Sequence, residues 1–166
     1  MKIGYTTGVF DLFHVGHLRI LKKARQRCDR LIVGVTSDEL VFSRKGRWPV
    51  IQQHERMEIL AGISAVSKVV PQNSMDKANA FKEHKFDIMF VGDDWKGTPQ
   101  WQALEQLLGP LGVEFVYFPY TQSVSSTKLN SILENYEDLD WVISANKPDM
   151  SLVRQITGNP LLCRKR

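Results

Sequence analysis

Short apolar runs alternate along this chain with longer segments in which apolar residues recur every three or four positions. The short runs are rich in β-branched and aromatic residues, which is typical of buried strands. They cover residues 2–8, 31–35, 66–70, 87–91 and 113–118, with Pro71 expected to end the third. The longer segments have the spacing of a helix face and cover residues 18–28, 57–64, 77–84, 101–111 and 125–136. The pattern predicts five strands, each followed by a helix.

Strands that alternate with helices form a parallel sheet, because each crossover helix brings the chain back to the same end of the sheet. We therefore predict a Rossmann-like, doubly wound α/β fold with a five-stranded parallel sheet. We expect this domain to occupy residues 1–136, with residues 137–166 as a C-terminal extension to which residue chemistry assigns no role. Such sheets bind ligands beyond the carboxyl ends of their strands. The segments to search are therefore residues 7–17, 36–47, 92–98 and 119–128.

The composition of the 166-residue chain is ordinary for a globular protein, with 43% hydrophobic and 24% charged residues. Its net charge of +4 admits an anionic partner but is weak for nucleic acid, so we expect small phosphate-bearing molecules. No apolar run approaches the ~18 residues of a membrane span, and we expect no membrane partner. The N-terminus does not resemble a signal peptide. Two distant cysteines, Cys28 and Cys163, favour reduced thiols in a cytoplasmic protein.

Two histidines flank a glycine where the first strand leads into the first helix, in the sequence His14-Val-Gly16-His17. The first turn of a helix presents unpaired N–H groups and a partial positive charge, which attract phosphate. Gly16 allows close approach of an anion to the backbone, and both histidines can donate hydrogen bonds to its oxygens. The structural alternative is that one histidine packs in the core while the other caps the turn. A metal site is disfavoured because no third ligand lies nearby in the sequence.

Three segments resemble motifs of a known family. They are residues 8–17 with their His-x-Gly-His sequence, residues 92–97 (Gly-Asp-Asp-Trp-Lys-Gly) and residues 119–128 (Pro-Tyr-Thr-Gln-Ser-Val-Ser-Ser-Thr-Lys). In this order they resemble the cytidylyltransferases of the nucleotidyltransferase superfamily, and in particular the glycerol-3-phosphate cytidylyltransferases. The resemblance implies transfer of CMP from CTP to a small phosphorylated alcohol, with release of pyrophosphate. It also implies Mg²⁺ as the cofactor that accompanies CTP, and a homodimer.

The resemblance implies roles for individual residues. Catalytic roles fall on His14, His17 and Lys45, with His17 in contact with the transition state. Nucleotide contacts fall on Thr7, Gly8, Phe10, Asp11, Gly16, Gly92, Asp93, Asp94, Ser125, Ser126 and Thr127. Contacts with substrate or phosphate fall on Arg47, Arg56, Trp95 and Lys128. No side chain is expected to bind the metal directly.

Structural interpretations stay open for several of these positions. Asp11 is equally suited to stabilising its turn, and Arg56 to a salt bridge on a helix surface. The basic run of residues 44–47 is also typical of a solvated loop. Residues 93–94 resemble an acidic turn as well, and residues 125–127 a helix N-cap.

The third motif departs from the family at Tyr120, where the family has a triphosphate-binding arginine, and at Gln122 and Ser123. Arg47 and Lys128 are the candidates to supply the missing charge. Two other functions stay open. One is an adenylyltransferase of the same superfamily that uses ATP, which the Gly-Asp-Asp-Trp sequence disfavours. The other is a non-catalytic nucleotide- or tRNA-binding module, which the short chain and small charge disfavour.

Overall fold

A computed structural model describes residues 1–119 together with Leu129 and Ser131. The strands are β1 (Ile3–Gly8), β2 (Arg30–Thr36), β3 (Lys68–Gln72), β4 (Ile88–Gly92) and β5 (Glu114–Phe118). The helices are α1 (Val15–Arg25), α2 (Asp38–Lys45), α3 (Gln53–Ala61), α4 (Lys77–His84) and α5 (Pro99–Leu108). Short 3-10 turns, Asp93–Trp95 and Gly109–Leu111, follow β4 and α5. The domain boundary predicted at residue 136 and the extension over residues 137–166 lie outside the described residues.

All five strands are parallel and lie in the order β3-β2-β1-β4-β5. The chain adds β2 and β3 on one side of β1 and then returns to add β4 and β5 on the other. Strand order therefore reverses between β1 and β4, which is where such sheets open a crevice for ligands. Thr6 spans this junction, since its hydroxyl donates to the Phe90 carbonyl over 3.1 Å. The predicted Rossmann-like, doubly wound fold with five parallel strands is confirmed.

Apolar side chains on the two faces of the sheet form two buried layers. In β2, Leu31 and Val33 belong to the layer that packs against α1 and α3, whereas Ile32 belongs to the layer that packs against α5. The same alternation separates Phe90 from Met89 in β4, because successive side chains of a strand point to opposite faces. Both faces are covered, and this explains why the strands are apolar along most of their length.

Helix α2 occupies a segment that the apolar pattern assigns to a loop after β2. The Ser37 hydroxyl accepts the Leu40 N–H at 3.2 Å and begins the helix, and two acidic residues favour its first turn. Gly46 ends it with a φ of 68°, the left-handed conformation that suits glycine. The helix buries only Val41, so apolar periodicity could not reveal it. The basic run of residues 44–47 therefore begins on a helix, and the loop interpretation is wrong for its first two residues.

The expectation that Pro71 ends the third strand is also wrong, because β3 runs from Lys68 through Pro71 to Gln72. The sheet order makes β3 an edge strand. An edge strand tolerates proline, since a position that faces away from the neighbouring strand needs no N–H donor. The error therefore arises from strand order, which the local sequence does not contain.

Within the described part of the chain, no helix is both long enough and apolar enough to cross a membrane. Cys28 is a buried free thiol that donates to the Ala24 carbonyl at 3.3 Å. Burial raises the pKa of this thiol, which makes it unreactive at neutral pH. Cys163 lies outside the described residues.

Candidate active site

The two histidines of the His-x-Gly-His sequence form a reciprocal cap at the start of α1. His14 is the N-cap, and its Nδ1 accepts the Gly16 N–H at 3.1 Å. The Nδ1 of His17 accepts the His14 N–H at 3.4 Å. The two rings stack with their centroids 3.9 Å apart. A ring nitrogen that accepts an N–H carries no proton, so each neutral imidazole holds its proton on Nε2. The cap therefore leaves two Nε2–H donors at a helix N-terminus.

His17 is neutral at physiological pH because of where it packs. Burial, with a smaller contribution from the neighbouring His14, lowers the pKa of His17 to about 4, although the Asp11 carboxylate opposes the shift. The rings of Phe10 and Phe13 lie 5.3 and 5.5 Å from its own. Burial also lowers the pKa of His14. His17 is thus a hydrogen-bond donor that needs no counter-ion.

The turn between β1 and α1 is held in an unusual conformation. Phe10 and Leu12 have φ values of 55° and 47°, a region that costs a residue with a side chain ~1–2 kcal/mol. Buried Asp11 stabilises the turn, because its carboxylate accepts the N–H groups of Leu12, Val50 and Ile51 at 3.0–3.1 Å. Two of these donors lie some forty residues away, in the segment that leads into α3. The structure thus supports the turn-stabilising interpretation of Asp11 and extends it to a second segment.

Arg56 stabilises the same region from inside the protein. It is only 1% exposed, and its guanidinium donates to the carbonyls of Val9, Ile51 and Thr36. It also forms an ion pair with Asp38 at the start of α2, at 2.5 Å. Neither a phosphate contact nor a salt bridge on a helix surface fits this environment. Arg56 is a buried cross-link between the β1–α1 turn, the end of β2, α2 and α3, and this corrects both sequence-based interpretations.

A cavity of about 320 Å³ opens at the point where strand order reverses. Seven of the residues predicted for the site line it: Thr7, Gly8, Phe10, His17, Lys45, Gly92 and Trp95. Seven others lie outside its lining: Asp11, His14, Gly16, Arg47, Arg56, Asp93 and Asp94. The remaining four, Ser125, Ser126, Thr127 and Lys128, fall outside the described residues. The ligand contacts of the lining residues remain predictions.

Three cationic side chains line the cavity, namely Arg44, Lys45 and Lys77. No Asp or Glu is present among the described residues of its wall. Burial, followed by the charges of Arg47 and Arg44, lowers the pKa of the Lys45 ammonium. Three positive charges close together on the wall of one cavity favour a polyanionic ligand.

The wall beyond β4 is built from Gly92 and Trp95. The Trp95 ring packs 6.1 Å from that of Trp101, and the Arg44 guanidinium lies 5.9 Å from the centre of the Trp95 ring. A Cβ on Gly92 would lie 2.4 Å from the Asp94 carboxylate, so a side chain at position 92 would require this exposed carboxylate to move. Asp93 and Asp94 themselves are exposed. The Gly-Asp-Asp-Trp sequence therefore contributes an aromatic wall, with its carboxylates on the outside.

Lys77 is one of the cavity residues that sequence reasoning missed. The sequence predicts that it lies on a helix and gives it no role, yet its side chain is buried and lines the cavity. Thr36 and Gln72, joined by a 3.2 Å hydrogen bond, also line the wall without having been predicted. Thr36 and Gln72 end β2 and β3, and Lys77 follows β3, so the strand order brings them to the cavity.

Metal-binding side chains do not gather here. Across residues 1–119, Leu129 and Ser131, no three His, Cys, Asp or Glu side chains come together as a metal site. The carboxylate of Asp11 already accepts three backbone N–H groups. The positive charge of its lining suits the cavity to binding anions.

Comparison with known proteins places this geometry in a family. A cytidylyltransferase-like family profile matches residues 5–148. Glycerol-3-phosphate cytidylyltransferase of Bacillus spizizenii is 33% identical over 130 residues, which are 78% of this chain and 95% of that protein. Bifunctional protein HldE of Hydrogenovibrio crunogenus is 34% identical over 137 residues, which are 82% of this chain and 28% of that protein.

A solved structure agrees with the sequence matches. The lipopolysaccharide core biosynthesis protein of Thermoplasma volcanium superposes with a TM-score of 0.62 and 25% identity, over 75% of this chain and 99% of that one. The family profile begins inside β1, at residue 5, and covers the other four strands and the described residues that line the cavity. This chain therefore belongs to the cytidylyltransferase-like family of nucleotidyltransferases.

Proposed function

We propose that the protein transfers CMP from CTP to a small polyol phosphate, with glycerol 3-phosphate as the first acceptor to test. The observation that carries the proposal is the composition of the cavity. A neutral histidine at a helix N-terminus and three cations share one space, and the described part of its wall contributes no carboxylate. A triphosphate and a phosphate ester together need such an environment.

The triphosphate would lie against the N-terminus of α1. There the Nε2–H of His17 donates to a phosphate oxygen, and Lys45 from the end of α2 neutralises charge. Thr7 and Gly8 at the end of β1 bring the backbone under the nucleotide. Mg²⁺ bound with CTP would add neutralising charge at the phosphates, beside that of Lys45. Each of these contacts uses a residue of the cavity wall.

The reaction is an in-line displacement at phosphorus. An oxygen of the acceptor phosphate forms a bond to the α-phosphorus of CTP, while the bond from that phosphorus to the bridging α,β-oxygen breaks. Pyrophosphate leaves with the electron pair, and CMP becomes joined to the acceptor. No covalent enzyme intermediate is needed, so catalysis consists of alignment and of stabilising the charge that develops on oxygen. His17 and Lys45 are the residues suited to that stabilisation.

Two observations support a small acceptor, namely the volume of the cavity and the similarity to the Bacillus proteins. The cavity of about 320 Å³ lies at the lower end of the range for small-molecule sites. The Bacillus relatives, at 32–33% identity, carry the name glycerol-3-phosphate cytidylyltransferase. These observations together favour a short, hydroxyl-rich phosphate over a large acceptor.

We further propose that the protein acts as a homodimer in the cytoplasm, on the basis of the family resemblance. Sedimentation equilibrium of the full chain, with and without CTP, tests the dimer directly. A mass equal to one chain at micromolar concentration would contradict it.

The reaction is tested by pairing each of the four nucleoside triphosphates with each of five acceptors. These are glycerol 3-phosphate, ribitol phosphate, phosphocholine, phosphoethanolamine and phosphopantetheine. Pyrophosphate release with Mg²⁺ present is the readout. CTP with a polyol phosphate should exceed every other pair by at least about tenfold in kcat/KM, which corresponds to about 1.4 kcal/mol of discrimination.

Two results would change the conclusion. A preference for ATP would replace CMP transfer by AMP transfer and leave the family membership intact. A preference for phosphopantetheine or phosphocholine would keep nucleotidyl transfer but reject the polyol acceptor. A control reaction without acceptor, run for each triphosphate, measures hydrolysis of the triphosphate and so separates hydrolysis from transfer.

A further inference from the structure

Thr36 and Gln72 form a buried polar pair in the wall of the cavity. They end the neighbouring strands β2 and β3 and lie opposite each other in the sheet register. Only 7% of Thr36 and 6% of Gln72 is exposed, and both residues line the cavity. The Thr36 hydroxyl donates to the Oε1 of Gln72 at 3.2 Å. Burying polar groups is unfavourable unless hydrogen bonds compensate for the lost water, so the bonding capacity of this pair indicates what the wall can bind.

The orientation of the Gln72 amide is fixed from the side away from Thr36. Its Nε2 donates to the Ser74 carbonyl at 3.0 Å and to the sulfur of Met75 at 3.5 Å, which uses both amide hydrogens. The reverse orientation would bring the amide oxygen against the Ser74 carbonyl oxygen, and two acceptors cannot bond to each other. Oε1 therefore faces Thr36, and the proton between the two oxygens comes from the Thr36 hydroxyl.

Both oxygens of the pair are consequently acceptors with spare capacity. The Thr36 hydroxyl uses its one proton on Gln72, so its oxygen can only accept a further hydrogen bond. The Oε1 of Gln72 has a second lone pair. Among the described residues, none donates to the Thr36 hydroxyl oxygen, and only Thr36 donates to Oε1. The pair thus offers a ligand two acceptors and no donor.

This arrangement determines the chemical class of the group that the pair can bind. The oxygens of a doubly ionised phosphate monoester carry no proton, so two acceptors cannot bind them. The ligand group must carry a proton, as a hydroxyl, an amino or an ammonium group does. Arg44, Lys45 and Lys77 line the same cavity, and no Asp or Glu is present in the described wall. These positive charges repel an ammonium group, so the pair is suited to a neutral donor.

The position of the pair in the sheet favours the acceptor substrate over the nucleotide. The residues predicted to contact the nucleotide follow or end β1, β4 and β5. Thr36 and Gln72 instead end the two strands on the other side of β1. A ribose hydroxyl or a cytosine amino group held beside β4 and β5 would therefore be separated from the pair by β1. The neutral donor that fits this position is a hydroxyl group on the carbon skeleton of the acceptor.

We infer that the Thr36–Gln72 pair accepts a hydrogen bond from a hydroxyl group of the acceptor, and that it thereby selects polyol phosphates over phosphates that lack this hydroxyl. The inference rests on the proposed function for the presence of a phosphorylated acceptor. Thr36 and Gln72 determine specificity in this assignment and take no part in the displacement at phosphorus. Their contribution is measured as a preference between acceptors.

Three phosphates that differ by single hydroxyl groups test the assignment. They are glycerol 3-phosphate, 3-hydroxypropyl phosphate, which lacks the central hydroxyl, and 2-hydroxypropyl phosphate, which lacks the terminal one. Calorimetry, with and without CMP, measures their affinities, and pyrophosphate release with CTP measures kcat/KM. The wild type should prefer glycerol 3-phosphate about 10- to 100-fold over one of the two deoxy compounds, because a buried acceptor that loses its donor carries a penalty of this size.

Substitutions at position 36 then assign the preference to the pair. Thr36→Val removes one of the two acceptors and should lower the preference at least about fivefold, whereas Thr36→Ser keeps the hydroxyl and should stay within about twofold of the wild type. Thr98→Val is the matched control, because it makes the same change at a threonine outside the cavity lining whose hydroxyl also donates, to the Trp95 carbonyl. Its preference should equal that of the wild type. A preference is a ratio within one protein, so a lower folded fraction does not alter it.

Three results would overturn the inference. They are no preference of the wild type in either measurement, a preference that persists in Thr36→Val, or a loss in Thr36→Val that falls on the affinity for CTP. If CTP and glycerol 3-phosphate react while one of these results is found, the proposed reaction stands without this assignment. If no triphosphate supports transfer but the binding preference depends on Thr36, the proposed reaction fails and the assignment stands.

Discussion

At the scale of single residues, the histidines combine two tasks that are usually assigned to different side chains. Each uses Nδ1 to cap the backbone of α1, and each keeps Nε2–H for another partner. The cap fixes the orientation of the rings, and burial keeps His17 uncharged. Because structural and chemical tasks fall on different ring nitrogens, a substitution can separate them.

His17→Asn makes that separation. The asparagine oxygen takes the place of Nδ1 and keeps an acceptor for the His14 N–H, whereas the donor at Nε2 is lost. We expect kcat to fall about 10²–10³-fold, as when one oxyanion-type donor is removed, while CTP binding weakens far less. His17→Gln, whose amide reaches toward the Nε2 position, should recover part of the rate. Turnover of His17→Asn within threefold of the wild type would remove His17 from the mechanism.

The buried state of His17 also predicts how stability depends on pH. In the unfolded chain its pKa is near 6.5, and in the folded protein it is about 4. Between these values the unfolded chain binds a proton that the folded protein excludes. The free energy of unfolding should therefore fall as pH decreases from 6.5 toward 4, by about 1.4 kcal/mol per pH unit from this group.

Urea denaturation at pH values from 4.5 to 7.5 measures this effect. His17→Asn lacks the titrating ring, so its stability should decrease less steeply than that of the wild type over the same range. Parallel curves for the two proteins would mean that His17 titrates normally in the folded state.

At the scale of elements, the site depends on segments that are joined by two buried polar groups. Asp11 ties the β1–α1 turn to the segment before α3, and Arg56 ties the same turn to α2 and to the end of β2. Arg56 therefore stabilises both the strained turn and α2, the helix that ends at Lys45. We expect loss of these supports to affect stability first.

Arg56→Met should lower the free energy of unfolding by about 3–5 kcal/mol, because three backbone carbonyls and Asp38 lose the donor that a fully buried guanidinium supplies. Asp38→Asn should cost less, since Asp38 is partly exposed. Arg27→Met removes an exposed arginine and should change stability by less than about 0.5 kcal/mol. Urea unfolding compares the three variants. A loss below 1 kcal/mol in Arg56→Met would contradict the cross-linking role.

The helices and strands also show which elements the local sequence can predict and which it cannot. The apolar pattern predicts β1, β2, β4 and β5 to within one residue at each end, because strands buried on both faces are apolar throughout. It misses α2, which buries a single side chain and is specified by caps instead. It also ends β3 too early at Pro71, since the local sequence does not reveal that β3 lies at an edge.

At the scale of the whole molecule, the sheet order decides which residues share the cavity. The reversal between β1 and β4 brings His17, Lys45 and Trp95 together from three separate segments. The sheet order also places Lys77 at the cavity, although its local sequence predicts only the first residue of a helix after the Asp76 cap. The net charge of +4 does not reveal that three of the cationic side chains line one cavity.

Apolar periodicity and local motifs are enough to predict the fold class, the family and seven of the residues that line the cavity, because these signals are local in the chain. The folded arrangement is needed to show that Arg56 and Asp11 are internal supports and that Lys77 is a buried cation without a hydrogen-bond partner. Burial and pairing depend on neighbours that are distant in sequence, such as Val9 for Arg56 and Val50 for Asp11. The free energy of a charged side chain is set by those neighbours, and the local sequence does not contain them.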